Sequence, residues 1–307
     1  MRYKITHTTS YQYSAPVSNC YNLAHIIPRT SNRQACISSQ VDILPIAQSQ
    51  SIREDYFGNK ALHFEIQNDH NELSLTATSI VETQKQTLLK PIEQSPSVSE
   101  SQALINSNRD PYTLLAREFL LDSPMIGSIT AINEFSHILF SADKPLLLAV
   151  LELTQKIYKE FTYCPEATTL ATPLSEVLQL KKGVCQDFAH LQIACLRSLG
   201  IPAKYISGYI ETLPLPGQEK LVGTDATHAW LSVFCPGFGW VEFDPTNNCL
   251  VGDQHIITAW GRDYSDVTPL RGVIYGGGDD PIMSVSVDVS RCDPPMQSSQ
   301  QQIQNQQ

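Results

Sequence analysis

Residues 183–202 read Gly183-Val184-Cys185-Gln186-Asp187-Phe188-Ala189-His190-Leu191-Gln192-Ile193-Ala194-Cys195-Leu196-Arg197-Ser198-Leu199-Gly200-Ile201-Pro202. From Cys185 to Leu199 the apolar residues recur at helical spacing, and Gly200-Ile201-Pro202 is a stop signal. A helix therefore opens at Cys185. A thiol at a helix N-terminus lies against unpaired N–H groups and the positive end of the dipole, which favour the nucleophilic thiolate. Lys181 and Lys182 either add positive potential or are simply solvated. A buried structural cysteine is the competing reading, and Cys185 alone does not decide between them.

A nucleophilic thiolate needs a base, usually histidine, and the histidine needs an acceptor that orients it. His190 follows Cys185 by five residues, about 140° around the helix, so it points elsewhere and reads as a core histidine. His228 is the better candidate. His228, Trp230 and Ser232 share one face of a strand, and Trp240, Glu242 and Asp244 share one face of the next. Between the two strands, Pro236-Gly237-Phe238-Gly239 is a turn by composition. If the loop runs from Cys235 to Gly239, Phe234 pairs with Trp240 and Trp230 with Asp244. His228 then lies diagonally from Asp244, about 7–8 Å away between backbones and within side-chain reach. A slip of one residue would put them on opposite faces. The competing reading makes Asp244-Pro245 only a turn.

Outward from this core, Tyr205 to Ile210 is β-like, and Leu146, Leu147, Val150, Leu151, Leu153, Ile157 and Tyr158 form a buried helical stripe. Thr172 is a candidate cap for a short helix with Pro173 at its first position. In residues 1–90, Tyr3, Ile5 and His7 alternate with polar neighbours, as do Leu62, Phe64 and Ile66, and Leu73 and Leu75. Gln67-Asn68-Asp69-His70-Asn71-Glu72 reads as a turn closing a hairpin, and the whole as an antiparallel β-sandwich. Residues 91–104, polar and Ser/Pro/Glu-rich, read as a linker. Residues 105–290 then form a catalytic domain, and 291–307 a disordered Gln-rich tail.

The 307 residues suit two domains, and 42% hydrophobic residues allow real cores. The net charge of −10 argues against a nucleic-acid partner. It is uneven: residues 1–90 carry +1 and residues 91–307 carry −11. The first residues lack the apolar run of a signal peptide, and no stretch has the 18 or so apolar residues of a membrane span, so the chain is expected to be cytoplasmic. The eight cysteines show no zinc-knuckle spacing. No metal or other cofactor is expected, and Asp279-Asp280 reads as an exposed acidic turn rather than a calcium site.

Three ordered blocks carry a resemblance to the bacterial transglutaminase-like proteins. They are Gly183 to His190, continuing through Leu199-Gly200-Ile201-Pro202-Ala203 to Ser207-Gly208-Tyr209; His228-Ala229-Trp230; and Gly239 to Thr246. Phe161-Thr162-Tyr163, Gly261 to Pro269, Tyr11-Gln12-Tyr13 and Asp55-Tyr56-Phe57-Gly58-Asn59 fit the same pattern, so the likeness spans nearly the whole chain apart from the tail. It implies an α+β fold: a papain/transglutaminase-like core, its Cys-bearing helix packed on an antiparallel sheet, behind an antiparallel β-sandwich. It also implies that Cys185 attacks a carbonyl to form a thioester, that His228 moves the proton, and that Asp244 orients the imidazole. The Cys185 N–H would serve an oxyanion hole. Tyr163, Gln186 and Trp230 are candidates for completing that hole or shaping the site, and Arg262 and Asp263 for shaping the cleft, forming a surface ion pair or anchoring a loop.

The expected partner is a protein or peptide substrate. Hydrolysis by a cysteine peptidase or amidase is favoured, because water is always available whereas an amine site must be built. The alternatives are a transglutaminase using an amine acyl acceptor, to which the acidic second domain is suited, and a non-catalytic binding scaffold.

Overall fold

The computed structural model describes residues 1–127, 129–212 and 227–292. From residue 293 onward the tail read as disordered lies outside them. The axis of the first sheet is β1 (Arg2–Ala24), 23 residues long. It is joined by β2 (Gln34–Leu44), β3 (Ser49–Glu54), β4 (Lys60–Ile66) and β5 (His70–Thr83), in the antiparallel order β2-β5-β1-β4-β3. The register of β1 against β5 shifts between Gln12 and Val17, an irregularity of the kind that lets a long strand turn. The curled sheet encloses Val17, Cys20, Phe64, Ile66, Leu73 and Leu75.

The expected hairpin is not made. Residues 67–69 carry the chain from opposite Cys20 to opposite Val17, so β4 and β5 follow one another along β1 rather than pairing together. Alternation sets which face of a strand is buried, but it does not choose the neighbour.

The stretch read as a linker is folded. Ile92–Gln94 form a 3-10 turn, and α1 (Val98–Ser107) opens on a capping box in which Ser97 accepts from the Glu100 amide while Glu100 accepts from the Ser97 amide. The Ser/Glu composition is here that of a helix start. Ile92, Val98 and Ile105 enter the core of the second unit. Then come α2 (Pro111–Arg117), α3 (Thr130–His137), α4 (Leu146–Glu160), β6 (Thr162–Tyr163), α5 (Leu174–Leu180), β7 (Lys182–Gly183) and α6 (Cys185–Ser198). The expected stripe of α4 is buried at Leu146, Leu147, Val150, Leu153 and Ile157, while Leu151 is half-buried and Tyr158 exposed. The cap of α5 falls one residue later than expected. Pro173 is its N-cap, and the Thr172 hydroxyl instead accepts from the Thr169 amide at 2.9 Å.

Helix α6 starts at Cys185 and is buried from Asp187 to Leu196. Gly200, with φ of +71°, ends it: its N–H bonds the Arg197 carbonyl at 2.9 Å, and the Ile201 N–H bonds that of Leu196 at 2.9 Å. This paired closure needs a left-handed residue just past the helix, which glycine supplies at least cost. The helix lies on a second antiparallel sheet of β8 (Ala203–Ile210), β9 (Thr227–Cys235), β10 (Gly239–Asp244), β11 (Cys249–Leu250) and β12 (His255–Gly261), ordered β11-β10-β9-β8-β12.

On β8, a Cβ at Gly208 would stand 2.0 Å from the Ile256 carbonyl oxygen and 2.7 Å from the Trp230 ring. Glycine is what allows Trp230 to lie over this strand. Gly208→Ala should therefore cost about 1–3 kcal/mol, read as a lower denaturation midpoint at unchanged slope. A wild-type midpoint would show that both neighbours yield freely.

The chain ends by returning to the first sheet. β13 (Leu270–Gly276) and β14 (Ile282–Arg291) pair with β1, from Ala24 back to Tyr3. A boundary at residue 290 between a catalytic domain and a tail therefore does not describe the fold, because residues 270–291 complete the N-terminal sheet. Tyr3, Ile5, Val81, Tyr209, Ile256, Val287 and Val289 form one core shared by both sheets. Gln34 and Asn59 add polar ties, each bonding the backbone of β12 through both donor and acceptor atoms: Gln34 at Ile257, Asn59 at Trp260.

Candidate active site

Val184 precedes α6 in extended conformation, and its N–H is held by the Asp187 carboxylate at 2.8 Å. Thr168 also donates to that carboxylate, at 2.7 Å. The turn that presents Cys185 is thereby closed from both sides. Cys185 is half-buried, and its charge is among those that raise His228.

The β9–β10 ladder has the register on which the reading depended: Cys235 faces Gly239, Phe234 faces Trp240, and Leu231 faces Phe243. His228 and Asp244 accordingly meet on one face, with Nε2 2.7 Å from Oδ2. A carboxylate only accepts, so Nε2 carries the hydrogen and Nδ1 is left for the thiol side. Burial works to lower the histidine's basicity, but the hydrogen bonds and charges of Asp244 and Cys185 outweigh it and push His228 up to about 10. For Asp244, burial works to raise the carboxyl. Hydrogen bonds from His228 and His255 win and hold it well below the usual carboxylate range. Its Oδ1 accepts the Thr246 and Asn247 amides at 2.9 and 3.1 Å, and its Oδ2 also accepts from Asn247 Nδ2 at 2.7 Å.

Trp230 is fully buried, its ring stacked on His228 at 5.8 Å between centroids. Its indole N–H donates to Glu242 at 2.8 Å, so Trp230 walls the site and has no N–H left for an oxyanion. Tyr163 is 53% exposed on β6. Burial raises its hydroxyl pKa, and the negative charges of nearby Cys185 and Asp187 raise it further. Gln186 is half-buried at the second position of α6. His190 points away, as its helical phase implied. It is buried against Tyr205, accepts the Tyr264 amide at 3.1 Å, and is lowered by burial to about 4. Arg262 pairs with Asp266 at 2.9 Å, while Asp263 holds Met125 N and Ser265 N, each at 2.8 Å. These two residues anchor a loop.

Two residues at the site escaped the sequence reading. His255, at the start of β12, places Nε2 2.9 Å from Asp244 Oδ2. Arg33, from the N-terminal sheet region, grips Glu242 with Nε at 3.0 Å and Nη2 at 2.9 Å, and donates from Nη1 to the His255 carbonyl at 3.0 Å. Neither sits in a local pattern that marks it; both arrive through strand order and inter-sheet contact.

His228, Asp244 and His255 offer ligand-type atoms within 4.8 Å of one another. A tetrahedral ion with bonds of about 2.1 Å would spread its ligands to about 3.4 Å. The 2.7 and 2.9 Å separations here are those of hydrogen bonds instead.

A helix that begins with a cysteine and packs on an antiparallel sheet bearing a histidine and an aspartate has the papain-like fold. The chain belongs to the bacterial transglutaminase-like family. Residues 136–245 match the transglutaminase-like superfamily and residues 3–82 the bacterial transglutaminase-like N-terminal region. An uncharacterized protein of Mycobacterium tuberculosis is 39% identical over 296 residues, spanning 94% of this chain and 92% of its own. One of Mycobacterium leprae is 31% identical, over 94% of this chain and 99% of its own. A solved structure from Cytophaga hutchinsonii, described as that of a candidate cysteine protease, shares the fold. Its TM-score is 0.72 at 22% identity, over 95% of this chain and 92% of its own. No helix among the described residues is long and apolar enough to cross a membrane.

Proposed function

We propose that the protein is a thiol-dependent acyl-transfer enzyme acting on peptide or amide substrates, with Cys185 as nucleophile, His228 as general base and acid, and Asp244 as the group that orients it. The observation that carries this reading is the 2.7 Å His228–Asp244 contact beside a half-buried cysteine at a helix start. Cys185 Sγ attacks the substrate carbonyl carbon, and His228 takes the thiol proton. As the C–N bond breaks, His228 returns that proton to the leaving amine, and an acyl thioester remains. Water attacks the thioester, the carboxylic acid leaves, and the thiol is restored. The Cys185 N–H, at the first turn of α6, is suited to support the oxyanion. Tyr163 stands beside Cys185 as a candidate second donor.

Hydrolysis is the primary reading, since it needs no second binding site. Transamidation is supported by a specific likeness. Residues of this chain are 30% identical over 163 positions to a protein of Pseudomonas aeruginosa named protein-glutamine gamma-glutamyltransferase, of which the chain spans only 24%. There an amine would replace water at the thioester.

The test is iodoacetamide alkylation near pH 6, followed residue by residue by mass spectrometry. Cys185 should react well ahead of the other seven cysteines and lose that lead in His228→Ala. Burial raises the thiols of Cys20, Cys36, Cys195, Cys235 and Cys249, the last two to about 12. A Cys185 no faster than these in folded protein would rule out the enzyme and favour a binding scaffold. A fast Cys185 licenses a screen for peptide cleavage against amine incorporation, which separates the two resolving steps.

A further inference from the structure

Asp244 carries one negative charge, yet two histidines share a single oxygen of it. Oδ2 lies 2.7 Å from Nε2 of His228 and 2.9 Å from Nε2 of His255. His255 is fully buried, and its Nδ1 has no hydrogen-bond partner among the described residues. Since the carboxylate can only accept, Nε2 of His255 must donate. A second proton on Nδ1 would then be a buried donor with no acceptor, which is costly, whereas a bare ring nitrogen is tolerated better. The ring is fixed by the edge of Trp230, 5.1 Å away at 75°, and its backbone by the Arg33 guanidinium. The ionisable groups around the pair are therefore Asp244 from β10, His228 from β9, Cys185 from α6, Cys249 facing Asp244 from β11, and Arg33 with Glu242 behind it.

We propose that His255 is a positioning residue of the acyl-transfer site: a neutral imidazole whose Nε2–H shares the Asp244 carboxylate with His228 and limits how tightly His228 holds its proton. The proposal rests on the acyl-transfer reading above. In that reaction His228 must give up its proton to the leaving amine. An imidazolium held too firmly by an unshared carboxylate is a poor acid for that step. A second donor on the same oxygen draws off part of the negative potential that His228 feels. The site is thus a linear set of four, Cys185–His228–Asp244–His255.

The test is the alkylation rate of Cys185 against pH, from 4 to 11, in the full chain and in His255→Leu and His255→Gln. The pair should give two limbs in the wild type, the upper belonging to loss of the imidazolium proton. In His255→Leu that upper limb should move upward by about one pH unit, a tenfold change in deprotonated imidazole at a given pH. Glutamine, whose amide N–H reaches about as far as Nε2, should restore it. A leucine profile that superimposes on the wild type, or leucine and glutamine profiles that move alike, would overturn the proposal and reduce His255 to packing. A wild type with one ordinary thiol limb would overturn the acyl-transfer reading itself, and this inference with it. Should the leucine variant not fold, histidine-labelled wild-type protein gives the answer by two-bond proton–nitrogen correlation. His255 is expected as the neutral Nε2–H form while His228 is doubly protonated. An Nδ1–H or charged His255 sinks the idea.

Discussion

Asp244→Asn should lower the acyl-transfer rate by about three to four orders of magnitude, with the chain still folded. The reason is an excess of donors. Oδ2 takes His228, His255 and Asn247, while Oδ1 takes two backbone amides. An asparagine has one acceptor oxygen, so its NH2 must face N–H groups on one side or the other. If it faces the histidines, His228 loses both its orientation and the charge that stabilises its imidazolium. The check is the rate of Cys185 alkylation at pH 6, with circular dichroism to confirm the fold. A rate within tenfold of wild type would remove Asp244 from the mechanism.

The same substitution should change how stability depends on pH. His228 is raised on folding from 6.5 to about 10, so the stability it contributes is complete below 6.5 and is lost as pH rises through about 10. Asp244 is lowered from 3.8. Its contribution is present above that value and lost as pH falls through its folded value. Denaturant midpoints of the wild type should therefore fall between pH 6.5 and 10 by more than those of Asp244→Asn.

Arg33→Leu should destabilise the protein by about 3–5 kcal/mol. Glu242 on β10 is 12% exposed, and the bidentate Arg33 fork and the Trp230 indole satisfy it. Burial raises its carboxyl, but Arg33 overcomes this and holds it low. Lys204 is another cation that acts on Glu242, caged between Trp240 and Trp260 at 4.3 and 3.8 Å from their ring centroids. Burial lowers Lys204 to about 7, so it replaces the guanidinium poorly. Most of the loss is the penalty of an uncompensated charge, so Arg33→Leu combined with Glu242→Gln should regain much of it. Equal midpoints for the single and double variants would show that the pair is not the source. Alkylation of Cys185 should slow in the single variant as well, because Glu242 holds the Trp230 ring that packs on His228.

Much of the site was legible because it lies in short-range patterns. The phase of α6 excluded His190, and a loop bounded by Cys235 and Gly239 put His228 and Asp244 on one face of a hairpin. Both arguments rest on helix and strand periods, which local sequence carries. Period-two alternation likewise marked the strands of the first sheet and their buried faces.

Tertiary structure alone decided the rest. Nothing near residues 67–72 says that β4 and β5 succeed one another along β1, and nothing in residues 270–291 says that they return to that same strand. Pairing partners are chosen by which edges the whole fold leaves open. His255 meets Asp244 only in the folded sheet, although β12 lies at the edge opposite β10 and β11. Arg33 meets Glu242 only because the two sheets pack together. Periodicity along a chain records what one element buries. It holds no information about a charge supplied by an element two hundred residues away.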